Sequence, residues 1–159
     1  MSIEKIKNYM NSNKWDKIYD IIKKIENIPL LTKDVVNGNN IIHLSIINNK
    51  NKIVDFIIKN EPENLMSVND DGNNVLHIAS FYATDTDIFK KIIKFFPELI
   101  NKINYNGESP MFFLLDNFEL FSWVIKNVKN INLDIISEDH HTLLTSCILK
   151  SSKEDDVYY

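Results

Sequence analysis

Asp71-Gly72-Asn73-Asn74-Val75-Leu76-His77-Ile78-Ala79-Ser80 is the stretch on which the rest of the chain is patterned. Gly38-Asn39-Asn40-Ile41-Ile42-His43-Leu44-Ser45 lies 34 residues upstream, and Gly107-Glu108-Ser109-Pro110-Met111-Phe112 lies 35 downstream. A fainter copy, His140-His141-Thr142-Leu143-Leu144-Thr145, stands 33 residues later. Self-similarity at about 33 residues, with a turn followed by two apolar helices, marks a stacked array whose units cannot bury their apolar faces alone. The three glycines of the chain, Gly38, Gly72 and Gly107, share one repeat position, as a tight turn requires. Pro29, Pro62 and Pro97 recur in the same phase, each just past an apolar helix that proline cannot continue.

With these residues in view, the chain resembles the ankyrin-repeat family, whose signature is Gly-x-Thr-Pro-Leu-His followed by a short helix, a turn and a longer apolar helix. Leu76-His77 and Ile42-His43 take the Leu-His positions, Ser109-Pro110-Met111 takes Thr-Pro-Leu, and Ile53-Val54-Asp55-Phe56-Ile57-Ile58 reads like the second helix. Asn40 and Asn74 depart from Thr, Ile41 and Val75 from Pro, and His140 from Gly. The resemblance implies an all-α fold, a solenoid of helix-turn-helix units joined by β-hairpin-like loops. Such a fold is a binding scaffold with many unrelated clients, so function has to be argued from its surfaces.

The expected organisation is one domain over residues 1–159. An N-terminal capping helix pair occupies 1–33, repeats occupy 34–69, 70–104 and 105–138, and a partial C-terminal repeat occupies 139–159. Ile3, Ile6, Tyr9 and Met10 give the helical spacing of the first cap helix, and Trp15, Ile18, Tyr19, Ile22 and Ile25 that of the second. Second helices are expected near 52–59 and 119–127, and Asp85 or Thr86 is expected to cap the helix carrying Ile88, Phe89, Ile92 and Ile93. The first helix of the third repeat, Met111 to Leu115, is short. The fourth repeat is expected to close as a half repeat solubilised by Lys153-Glu154-Asp155-Asp156, or to continue into a longer protein.

Bulk composition narrows the classes. At 159 residues, 44% hydrophobic and net charge −4, the chain has material for a continuous core and no membrane-length apolar run. A single cysteine, Cys147, rules out an intrachain disulfide, and no Asn-x-Ser/Thr acceptor is present; both fit an intracellular, cytoplasmic protein. Cys147 is expected as a buried thiol. All eighteen basic residues are lysine, and without guanidinium forks the chain is poorly suited to reading nucleic acid. The weight of Asn, Lys and Ile fits an AT-rich genome such as those of large DNA viruses, intracellular bacteria and some protists; for a viral or bacterial effector the host cytoplasm is the expected compartment.

No catalytic set emerges, and the chain is expected to be non-enzymatic, without cofactor or metal. The family's Leu-His imidazole ties down its turn, so His43 and His77 are expected to be structural. His140 and His141, beside Glu138 and Asp139, are expected as solvated tip residues, because adjacent histidines point apart and no third ligand stands at a useful spacing. One glycine per repeat leaves no phosphate-cradling loop.

The family's concave surface, made of hairpin tips and the exposed side of first helices, is where a protein partner is expected to bind a monomer of this chain. Mapped by position, the tips are Val36, Asn37 and Asn39; Asp70, Asp71 and Asn73; Tyr105, Asn106 and Glu108; and Glu138, Asp139 and His141. The helix positions are Ile47 and Asn48, Phe81 and Tyr82, and Asp116 and Asn117. From these, Asp70, Asp71, Asn73, Phe81, Tyr82, Tyr105 and Glu108 form the candidate site. Phe81 and Tyr82 are large aromatics of the kind that anchor interfaces, and Tyr105 is expected to complete their patch inside an acidic rim. The competing reading tucks Phe81 between neighbouring first helices. A second functional expectation is a structural or targeting segment of a larger protein or of a viral or host assembly.

Overall fold

A computed structural model describes residues 3–24, 37–82 and 86–155. Ile25, Pro29, Val35, Val36, Asp85 and Asp156 lie outside that range, and with them the sequence readings placed on them. Among the described residues the chain is all-α, with helices α1 (Ile3–Asn11), α2 (Trp15–Ile22), α3 (Ile41–Ile47), α4 (Asn51–Asn60), α5 (Val75–Tyr82), α6 (Thr86–Phe95), α7 (Pro110–Phe113), α8 (Phe118–Asn127) and α9 (Leu143–Asp155). Helices α3, α5, α7 and α9 contact one another in succession, and α4 packs on α6 behind them. One side of α3 and of α5 therefore faces its own partner and another faces the next unit, which is why the apolar stripe is broad.

Asparagine starts the first helices. The Asn40 side-chain oxygen accepts from His43 N at 3.3 Å, and His43 Nδ1 accepts from Asn40 N at 3.3 Å. The same reciprocal pair recurs at Asn74 and His77, at 3.1 and 3.2 Å. Asn-x-x-His thus satisfies the orphan amides that a Ser/Thr-x-x-Glu box satisfies elsewhere, so replacing Thr by Asn keeps the cap. The amide nitrogens reach further: Asn40 Nδ2 donates to Ser67 Oγ at 2.8 Å and Asn74 Nδ2 to the Leu99 carbonyl at 3.3 Å. Each cap is thereby tied to the segment returning from its own second helix.

Those returns are short 3-10 turns, Pro62–Met66 and Pro97–Asn101, that bury Leu65 and Leu99. The third return has no such turn. Asn101 holds it instead, donating to the Asn130 carbonyl at 2.7 Å and accepting from Asn132 N at 2.8 Å. The core runs through every unit, from Ile18 and Ile22 through Ile42, Ile46, Val54 and Ile57 to Leu76, Phe89 and Ile92, and on to Leu114 and Val124. Helix α9 is the last described element, and no second helix pairs with it among the described residues. Cys147 on α9 is half-buried, not buried, since among the described residues no further unit covers that helix.

Candidate functional site

The hairpin tips are built by one local rule. Asn69 N donates to the Asn73 carbonyl at 3.0 Å and Gly72 N to the Asn69 carbonyl at 3.1 Å, with Gly72 at φ +76°. This is a three-residue loop whose last member takes the left-handed conformation. The loop at Asn104–Glu108 repeats it at 2.9 and 3.1 Å, and that at Ser137–His141 at 2.9 and 2.9 Å.

Within the loop, the Asn69 side-chain oxygen accepts from Asp71 N and Asn73 N at 3.0 and 2.9 Å, and its amide donates to Asn39 Oδ1 of the preceding tip at 3.1 Å. Asn104 does the same one unit on, accepting from Asn106 N and Glu108 N at 3.0 Å each and donating to Asn73 Oδ1 at 2.9 Å. Both asparagines are buried. Backbone bonds run alongside them, from Asp70 N to Asn37 O, Tyr105 N to Asp71 O, and Glu138 N to Asn106 O, at 3.0, 3.0 and 2.8 Å. Successive tips are thus joined by a side-chain ladder and a main-chain ladder.

Several candidate residues are engaged in this scaffold. Asn73 is half-buried and gives its side-chain oxygen to Asn104; Asn39, read as a tip residue, is buried for the corresponding reason. Asp70 and Asp71 are exposed. Glu108 is half-buried; its carboxylate accepts from Asn104 Nδ2 at 3.2 Å and its carbonyl accepts from His77 Nε2 at 3.0 Å. That last bond and the one at Nδ1 fix His77 as the neutral imidazole protonated on Nε2. Burial pushes its pKa from 6.5 down to about 4, against a smaller upward pull from the Glu108 carbonyl.

The aromatic group differs in membership from the sequence expectation. Phe81 and Tyr82 stand exposed at the end of α5, at 61% and 45% of their surface, and pack edge-on with centroids 4.8 Å apart. Their third member is Phe113, edge-on to Phe81 at 6.1 Å and to His77 at 5.7 Å. Tyr105 does not join them. Its ring lies over Gly72, where an added Cβ would sit 2.7 Å from it, and it makes no ring–ring contact among the described residues. The bare glycine offers a flat floor that the ring covers. Phe81 thus touches the neighbouring unit through Phe113 and still keeps most of its surface in water.

Beside this group, a hollow of about 240 Å³ runs between the ends of α5, α7 and α9, with Phe81, Phe113 and Glu108 on its walls. Asp116 and Lys150, paired at 2.6 Å, close its far side. Asn117, placed on the surface by position, instead caps α8 by accepting from Leu120 N at 3.0 Å. A scan against protein-family models finds no match to the chain, and a search of curated proteins finds none either. Among the described residues no helix is long and apolar enough to cross a membrane.

Proposed function

We propose that the chain is a short ankyrin-repeat-like solenoid that serves as a non-enzymatic protein-binding module, taking a partner on the side where hairpin tips and first-helix ends meet. The observation that carries the reading is exposed Phe81, on the wall of the hollow it shares with Phe113 and Glu108, with exposed Tyr82 packed against it. Large aromatics left in water beside a concavity are anchors when a partner fills it, because their burial is favourable and costs little side-chain entropy. The phased loops and the sequential contacts of the first helices support the repeat assignment. Exposed Asp70 and Asp71 and half-buried Glu108 supply an acidic rim, so the partner surface is basic or polar.

Affinity capture from lysate with the wild-type chain beside a Phe81→Ala/Tyr82→Ala/Tyr105→Ala variant, read by mass spectrometry, tests this. A protein enriched by the wild type and lost from the variant, with circular dichroism unchanged, is the expected outcome. Equal capture by both baits would remove this face as the binding surface.

A further inference from the structure

The opposite side of the molecule, where the longer second helices lie, carries charge of the other sign. Between α6 and α8 two hollows of about 430 and 400 Å³ adjoin, with Lys90, Trp123 and Asn127 lining both. Lys94 and Lys129 line one, and Lys126 lines the other. Among the described residues, Glu119 is the one carboxylate lining either hollow. None of these four lysines makes an ion pair among the described residues, whereas Lys23, Lys91 and Lys150 each do. In a chain of net charge −4, four unpaired ammonium groups around one groove are a local inversion of the overall field.

The groove also has an apolar side. Trp123 is half-buried, with the Lys90 ammonium 5.5 Å from its ring centroid, and that ammonium also donates to Thr86 Oγ1 at 3.3 Å. Lys90 is therefore held over the indole while Lys94, Lys126 and Lys129 remain exposed around it. Phe118, at 80% exposure, stands where α8 begins and lines the same groove. Positive groups around an aromatic floor fit a ligand that brings carboxylates and one apolar side chain together.

We infer that the α6–α8 groove is a second docking surface, one that takes an acidic segment of a partner protein with its apolar residue against Trp123 and Phe118. Lysine ammonium groups are compact charges that meet carboxylates without the forked geometry by which arginine reads phosphate, which favours a polypeptide over a nucleic acid. The indole is half-buried where residues of both helices line the groove. This surface is separate from the aromatic face of α5 and α7, so either can stand without the other.

The test uses the full chain and a synthetic acetylated octapeptide of Glu and Asp around a single central Leu, followed by two-dimensional amide NMR. The chain has two tryptophans, Trp15 and Trp123, so two indole signals report separate places. The expected result is a saturable shift of the Trp123 indole with Trp15 unmoved, weakening as salt is raised. A Lys94→Glu/Lys126→Glu/Lys129→Glu variant, altered only at exposed positions, should keep its melting temperature within a few degrees and bind about tenfold more weakly or worse. No shift of Trp123 at millimolar peptide overturns the inference, as does equal movement of both indoles or equal binding of a peptide with Gln for every acid. Two further results would reassign the surface: phosphatidylserine vesicles that bind while the peptide does not, or a dimer in sedimentation that the lysine reversals dissolve.

Discussion

The second and fourth hairpin tips have the same backbone and different side chains. Gly72 sits at φ +76° and His140, at the equivalent position, at +60°, with matching loop-closing hydrogen bonds. An L-residue is strained there, yet the fourth tip carries one. What differs among the described residues is the neighbour stacked on each tip. An added Cβ at Gly72 would come within 2.7 Å of the Tyr105 ring of the next tip, and one at Gly38 would overlap the Asp70 carboxylate. After His140 no further tip is described, and its side chain is exposed. Glycine is thus favoured by the turn itself and, at Gly72, also by the ring stacked on it; at the fourth tip, the last one described, His140 takes the same conformation.

The side chains that brace the two tips differ in the same sense. Asn69 satisfies two amides within its loop and reaches back to Asn39, whereas Ser137 holds only His141 N, at 3.3 Å. Among the described residues the inner tips are cross-linked on both sides and the fourth on one.

Substitutions can break this contrast or make it sharper. Gly72→Val should have the largest effect, about 4 kcal/mol of lost stability in urea unfolding, from a β-branched residue in a left-handed turn plus its clash with Tyr105. A loss below about 1 kcal/mol would mean that the stacking contact carries no energy.

The next effect is one of pH. Below pH 6.5 the unfolded chain takes a proton at His77 that the folded chain refuses until about pH 4. Stability from this group is therefore whole above 6.5 and lost as pH falls toward 4, in total about 3 kcal/mol. A His77→Phe variant, with the residue type that Phe112 supplies in the third unit, should lack this part of the slope; parallel wild-type and variant profiles would contradict the assignment.

Asn104→Ala should cost about 2 kcal/mol, because two loop amides lose their acceptor in a buried setting. Ser137→Ala, which removes one long bond, should cost about 0.5 kcal/mol. Equal losses would show that the ladder contributes nothing beyond the local turn. His140→Gly should change stability least, within about 0.5 kcal/mol, since relief of the left-handed strain is offset by the greater freedom of glycine in the unfolded chain. Differential scanning calorimetry is sufficient to see whether it moves at all.

Much of the fold is legible along the chain because its cues are local. Helix α4 runs Asn51–Asn60 where 52–59 is read, α8 runs Phe118–Asn127 where 119–127 is read, and α7 is short as its spacing indicates. The turn-tying role read for His43 and His77 corresponds to the bonds their Nδ1 atoms accept. Asn69 and Asn104 are not legible in this way, although they precede their glycines by three residues. Asparagine is so frequent here that its phase is hidden in the background. Phe113 gives no sign either, since the contraction of α7 turns it toward Phe81 in a way that repeat position does not predict.

Periodicity, turn chemistry and caps are properties of a few neighbouring residues, and so the order of helices and the place of each tip can be written down from the letters alone. Which side chains meet across units cannot. Tyr105 covers Gly72 and leaves Phe81 to Phe113, Asn73 is drawn into a ladder, and four lysines line the groove that holds Trp123, because each depends on the rotation and spacing of one unit against the next. Those are settled by packing summed over the whole stack, and no short window of residues contains them.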